Sequence, residues 1–226
     1  MFDIITLGSA TLDVFLDTNV HEKKKEICYP AGSKILVKNL FFSTGGGGTN
    51  TAVSFSRLGI RTGWLGELGN DEHAGIILNE LKKERISFLG SRSSGMTGYS
   101  VVLDTKEKER TILTYKGVND NLKFSDFSLS SLKTKWFYFS SMIGESFKTQ
   151  EKLAAFARKK GIRIAYNPSS YQAEKGASYL KKILNNTDIL ILNKEEAQMI
   201  VRSGDLLKGL HKLGPKIVCI TDGKNG

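Results

Sequence analysis

The chain has 226 residues, 40% hydrophobic and 25% charged, with 33 Lys and Arg against 23 Asp and Glu for a net charge of +10. That composition fits a globular α/β domain and excludes a disordered chain, a coiled coil and a collagen-like repeat. No apolar run approaches the ~18 residues of a membrane helix, and Met1-Phe2-Asp3-Ile4-Ile5 lacks the basic start of a secretory signal.

In chain order, Asp3 to Gly8 reads as a buried strand ending at a glycine. Over 11–44, Val14-Phe15-Leu16 and Ile35-Leu36-Val37 predict short strands joined by a polar turn. After Gly45-Gly46-Gly47-Gly48, Thr49 is the predicted N-cap of a helix through Leu58, with Gly59 as its C′ residue. Ile60 to Gly66 reads as a strand. From Asp71 a helix runs to about Arg85, with Ala74, Ile77, Leu78 and Leu81 on one face. Gly98–Leu103 and Thr111–Tyr115 read as two strands around a charged turn, Asp104 to Glu109.

The remainder alternates regularly. Strands are predicted at Lys135–Phe139, Ile162–Tyr166, Asp188–Leu192 and Lys216–Thr221. Helices are predicted at Phe147–Lys160, Ala177–Leu184, Lys194–Val201 and Leu206–Leu213. This rhythm predicts a doubly wound, mostly parallel sheet with helices on both faces. Ligands of such sheets bind where strands end. Those positions hold Gly8 and nearby Asp13, the Gly45–Gly48 run, Gly66 to Asp71, Ser140 to Glu145, Asn167-Pro168, Asn193 and Thr221-Asp222-Gly223.

Cys28 and Cys219, like His21, His73 and His211, show no metal-ligand spacing, so reduced thiols and no zinc site are expected. The lysines are spread along the chain, only Lys23-Lys24-Lys25 forms a run of three of them, and no aromatic residues interleave it. A solvated basic surface suited to anionic substrates is expected rather than a nucleic-acid interface.

The glycine run is followed by neither Gly-Lys-Ser/Thr nor a Gly-x-Gly-x-x-Gly pattern. By itself it is either a close approach of backbone to ligand at a helix start or a flexible loop. Asn50, one residue inside the predicted helix, adds an amide that can both donate to and accept from a polyhydroxylated ligand.

Thr44-Gly45-Gly46-Gly47-Gly48-Thr49-Asn50-Thr51-Ala52, Arg57-Leu58-Gly59 and Gly66-Glu67-Leu68-Gly69-Asn70-Asp71 with Gly75 resemble, in that order, the first signature of the ribokinase-like (PfkB) carbohydrate kinases. The agreement continues through Met96-Thr97-Gly98, Arg110, Gly117-Val118-Asn119, Asn167-Pro168, Asn193-Lys194-Glu195-Glu196 and Thr221-Asp222-Gly223-Lys224-Asn225-Gly226. Val118 and Asn167 stand where the family has Ala and Asp.

The resemblance implies a ribokinase-like α/β domain over 1–226 with a small β-sheet lid from about 11–44 and 97–115. It implies ATP-dependent phosphorylation of a hydroxyl on a sugar or nucleoside, with Mg²⁺, in the cytoplasm. Asp13, Gly45, Gly46 and Asn50 would hold substrate hydroxyls, with a contact from Glu145. Asn193 and Glu196 would organise Mg²⁺ and phosphates, and Thr221, Gly223 and Gly226 would line the nucleotide. The lid would carry any homodimer contact. Read from the residues alone, Asp13 is either a two-pronged hydroxyl acceptor or a solvated turn residue. Glu196 is either an organiser of Mg²⁺-bound water or an acid favoured at a helix start, as is Glu195.

The family's second signature, Asp-Thr-x-Gly-Ala-Gly-Asp, is not found in these residues. Its last Asp is the general base and its Gly-Ala-Gly backbone the anion hole, both expected beyond Gly226. Two expectations follow. One is the N-terminal part of a sugar kinase, inactive as it stands. The other is a non-catalytic sugar-binding or regulatory module.

Overall fold

A computed structural model describes residues 1–20, 26–105 and 110–226. The Lys23-Lys24-Lys25 run, His21 and residues 106–109 of the charged turn lie outside the described residues. The elements are β1 (Phe2–Leu7), β2 (Thr11–Val20), β3 (Asn39–Gly45), α1 (Gly47–Arg57), β4 (Thr62–Leu65), β5 (Glu67–Gly69), α2 (Glu72–Lys83), β6 (Ser87–Phe88) and β7 (Ser91–Ser93). They continue with β8 (Gly98–Thr105), β9 (Arg110–Tyr115), β10 (Thr134–Ser140), α3 (Gly144–Lys160), β11 (Arg163–Asn167), α4 (Ser170–Ala173) and α5 (Gly176–Leu184). Last come β12 (Ile189–Asn193), α6 (Lys194–Ile200), α7 (Leu206–His211) and β13 (Ile217–Thr221).

Seven strands form a parallel sheet in the order β13-β12-β11-β10-β1-β4-β6. The chain winds outward from β1 in both directions, so the order reverses beside β1. Strand alternation sorts the side chains. Ile5, Leu7, Phe137, Phe139, Ile164, Tyr166, Leu190 and Leu192 face one way, onto α3, α5, α6 and α7. Trp64, Leu68 and Ala10 join Ala52 of α1 and Ala74, Ile77 and Leu81 of α2 in a second core. Beyond α1 on that side, an apolar groove of about 580 Å³ runs along Ile4, Trp136, Tyr138, Ala165, Ile189 and Ile191.

A separate four-stranded mixed sheet, β3-β2-β8-β9, stands on the C-terminal end of β1. Its middle strands pack inward through Leu12 and Val14, while β9 is exposed throughout. A short parallel pair, β5-β7, joins the two sheets. Among the described residues no helix is long and apolar enough to cross a membrane.

Two local expectations are corrected. Ile35-Leu36-Val37 is not a strand, and Leu36 is 86% exposed. Pairing of β2 with the returning chain begins only at Asn39, opposite Asp17, beyond these three residues. Thr49 does not cap α1. The cap is Gly46, at φ 100°, a left-handed conformation that glycine adopts without strain. Thr49 sits inside the first turn and its hydroxyl donates to the Gly45 carbonyl at 2.5 Å.

The start of α1 meets the end of β1 without side chains between them. A Cβ on Gly48 would lie 2.5 Å from the Gly8 carbonyl and 2.6 Å from Trp64 Nε1. Gly75, inside α2, has open space at its Cβ position. Gly48→Ala is expected to lower stability by about 2 kcal/mol or more through backbone displacement. Gly75→Ala should raise it by about 0.5–1 kcal/mol through helix propensity. Urea unfolding of both variants measures the contrast.

Candidate functional site

The parallel sheet's strand order reverses at β1, and the glycine turn lies there. Its geometry follows from where the helix amides go. The N–H groups of Gly48 and Thr49 both donate to the Ser9 carbonyl, at 3.0 and 3.4 Å. They are therefore occupied and do not form an open phosphate cradle. What the turn does offer is exposed backbone. A Cβ on Gly47 would stand 3.1 Å from Ser140 Cβ at the end of β10.

Asp13 reaches this turn from β2, where its neighbours across the outer sheet are Ser43 and Ser100. A Cβ on Gly45 would stand 2.0 Å from Asp13 Oδ2, so only glycine admits this carboxylate. Asp13 Oδ1 is buried and has no hydrogen-bond partner among the described residues. A carboxylate oxygen in that state is costly unless a ligand donates to it. Asn50 is one turn inside α1 rather than one residue. Its N–H donates to the Gly46 carbonyl at 2.9 Å, and the residue is exposed. The structure thus brings Asp13, Gly45 and Gly46 together, with Asn50 on the adjoining turn of α1.

Glu145 is placed elsewhere. It pairs with Lys148 and lines a groove with Asp120, Asn121, Glu151 and Tyr179, to which Asp13, Gly45, Gly46 and Asn50 do not contribute. The Lys148 hydrogen bond holds its carboxyl below the usual range.

The second cluster forms at the ends of β12 and β13, where Asn193 and Thr221 are register partners. Asn193 and Glu196 make a reciprocal capping box. Asn193 Oδ1 accepts from the Glu196 N–H at 2.7 Å, and Glu196 Oε2 accepts from the Asn193 N–H at 3.0 Å. Burial pushes the Glu196 carboxyl up, and the Asn193 N–H offsets this only in part. Lys194 Nζ donates to Asp222 Oδ2 at 2.9 Å, tying α6 to the terminal turn. That turn is a single 3₁₀ turn, Gly223–Asn225, with Gly223 and Gly226 at positive φ. From β1 to β12 the two clusters are three strand spacings apart, about 14 Å. Asn167 lies between them and donates to the Ile191 carbonyl at 2.7 Å.

Two polar clamps fix the outer sheet to this edge. Asn119, 1% exposed, accepts from the Ala10 N–H and donates to the Ala10 carbonyl, both at 2.9 Å, and donates to the Lys116 carbonyl at 2.8 Å. Asp71 caps α2 through Ala74 and accepts from both the N–H and the hydroxyl of Thr97, at 2.6 and 2.7 Å. Burial pushes the Asp71 carboxyl up, but these hydrogen bonds outweigh it and hold the group below its usual range. Sequence reasoning singled out these segments and missed the clamps, because the partners are up to 109 residues apart.

The whole chain, residues 1–226, matches the sequence model of the pfkB family of carbohydrate kinases. It is 27% identical over 183 residues to an uncharacterized sugar kinase of Archaeoglobus fulgidus, covering 77% of this chain and 71% of that protein. It is 25% identical over 232 residues to the ribokinase of Bacillus subtilis, covering 100% and 73%. The structure of an Arabidopsis thaliana ribokinase complexed with ribose and ATP superposes with a TM-score of 0.78 at 21% identity, over 97% of this chain and 71% of that one. Across its curated relatives the chain spans from 52% to 73% of their length.

Removing the Asn119 side chain would leave the Ala10 N–H and carbonyl buried without partners, at about 1–3 kcal/mol each. Asn119→Ala is expected to lower stability by about 3 kcal/mol in denaturant unfolding. Asn119→Asp, which cannot donate to Ala10, should fare no better.

Proposed function

Because this chain belongs to the pfkB family of carbohydrate kinases, we propose that it holds the hydroxyls of a sugar or sugar-like acceptor at the glycine turn and Mg²⁺-ATP at the ends of β12 and β13. The buried, unpartnered Oδ1 of Asp13 carries this reading. The other oxygen, Oδ2, is set against bare Gly45 backbone, and a polyol hydroxyl would satisfy Oδ1. Asn50 supplies an amide beside it. Glu145, paired with Lys148, would add an acceptor contact by exchanging that partner.

At the second cluster the donor set fits a metal carried by phosphates. Glu196 uses one carboxylate oxygen in the capping box and keeps the other available. Mg²⁺ retains waters and takes few carboxylates, so one free oxygen suits a hydrated ion bridging phosphates. Asn193 positions Glu196, and Thr221, Gly223 and Gly226 line the nucleotide. Bound Mg²⁺-ATP would supply the phosphoryl group. The 226 residues contain no Asp-Thr-x-Gly-Ala-Gly-Asp stretch. Phosphoryl transfer rests on positioning and electrostatic stabilisation, so the two clusters would supply the acceptor and nucleotide ends of an ATP-dependent phosphorylation of a sugar hydroxyl. A setting in the cytoplasm suits ATP use and the free, exposed thiols of Cys28 and Cys219.

The outer sheet serves as a lid over the acceptor, and its edge strands pair two copies. Leu40, Phe41 and Phe42 of β3 and Ile112, Leu113 and Tyr115 of β9 are each at least half exposed. Sedimentation velocity should show a dimer that Phe42→Glu converts to monomer; a monomeric wild type would remove this element.

Glu196→Gln separates role from scaffold. Gln preserves the capping box, so unfolding should shift by less than about 0.5 kcal/mol. Mg²⁺-dependent ATP binding should fall at least about tenfold by calorimetry, while ATP binding in EDTA stays unchanged. Asp13→Asn should abolish acceptor binding and leave ATP binding intact. Unchanged binding in both variants would contradict the assignment.

A further inference from the structure

Lys116 follows β9 directly, where the outer sheet rejoins the core. Its carbonyl is held by the Asn119 amide that also holds Ala10. Ala10 packs against the glycine turn, its Cα 2.7 Å from the Cβ position of Gly46. The Lys116 side chain leaves in the other direction. Its ammonium lies 5.4 Å from the centroid of the Tyr171 ring, on α4. Tyr171 follows Ser169, whose hydroxyl bonds that of Ser141 at 2.6 Å, one residue beyond Ser140 beside Gly47. Lys116 therefore lies between the Asn119–Ala10 clamp beside Gly46 and α4, the short helix that follows β11.

Its charge has no close carboxylate. Half-buried Lys116 has no such partner within 4.0 Å among the described residues. Asp120 is the acid that feels it, and that carboxyl is pushed up by burial and lines the groove along α3 with Glu145. A tyrosine face is a weaker partner for an ammonium than an anion is.

We propose that Lys116 reads an anionic group on the acceptor, so that the substrate is a polyhydroxylated acid, either a sugar carboxylate or a sugar phosphate. The hydroxyls meet Asp13 and the glycine turn, and the anion meets Lys116 Nζ. This rests on the acceptor site proposed above.

The test is calorimetric titration of the full chain with gluconate, fructose 6-phosphate, their neutral parents glucose and fructose, and Mg²⁺-ADP alone. Wild type is compared with Lys116→Met, Lys116→Arg and Asp13→Asn. One of the acids should bind at least about tenfold tighter than its parent, the range of a charge-assisted hydrogen bond. Which acid it is distinguishes carboxylate from phosphate. Lys116→Met should erase that advantage, Lys116→Arg should keep most of it, and Asp13→Asn should abolish binding of acid and parent alike. Acids that bind no tighter than their parents, or keep their advantage in Lys116→Met, overturn the proposal. So does an equal loss of Mg²⁺-ADP binding in Lys116→Met. Asp13-dependent binding without acid preference overturns the Lys116 assignment and leaves the acceptor site standing. No binding of any sugar to the wild type overturns both.

Discussion

Between Gly8 and Gly48 there is no room for a side-chain carbon, and the main chains of β1 and α1 touch. That contact brings the helix start down onto the strand end, where the Thr6 hydroxyl donates to the Gly48 carbonyl at 2.9 Å and Trp64 Nε1 donates to the Gly8 carbonyl at 3.1 Å. It draws the Gly48 and Thr49 amides onto Ser9 and turns the backbone through Gly46 at φ 100°. Asp13 then faces bare backbone instead of a side chain. A larger residue anywhere in this junction displaces the helix, the strand end and the acceptor carboxylate together.

The sheet arranges the rest in a row. Thr221, Asn193, Asn167, Ser140 and Gly8 follow one another at the C-terminal ends of five adjacent strands. The acceptor cluster occupies one end of the row and the capping-box cluster the other. The capping box shows how one residue pair serves two levels at once. Asn193 and Glu196 satisfy each other's helix-start amides, and the carboxylate this fixes at the sheet edge is left half-buried and shifted upward. Asn119 and Asp71 tether the outer sheet to the same edge, while its outer strands carry exposed apolar side chains.

The α/β rhythm beyond Lys135 was legible because periodicity there is local. The apolar face of α3 through Leu153 and Ala157, and its stop at Gly161 with φ 67°, are written in adjacent residues. The start of α2 near Asp71 was legible for the same reason, though its role as the cap was not read. Ile35-Leu36-Val37 misled, because their apolar pattern says strand and the absence of a pairing partner is a tertiary fact. The start of α1 was misplaced by the acceptor at Ser9, forty residues away in the chain. The two-residue strand β6, the β5-β7 pair and the four-residue α4 are too short to show any period. Asp13, Gly45, Gly46 and Asn50 could be nominated from the order of motifs. The start of α3 at Gly144, which sets Glu145 and Lys148 on one helical turn, could not, and neither could the meeting of Lys116 with Tyr171.

The central claim is that one sheet edge binds two ligands at separate ends. Two-dimensional ¹⁵N NMR of the chain tests it directly. Mg²⁺-ADP should shift the amides of Asn193 to Glu196 and Thr221 to Gly226. An acceptor sugar should shift Gly45 to Asn50 and Asp13, and neither ligand should move the other's set first. Shifts confined to the opposite end of the sheet, around Gly161, Asn185 and Lys216, would contradict the account.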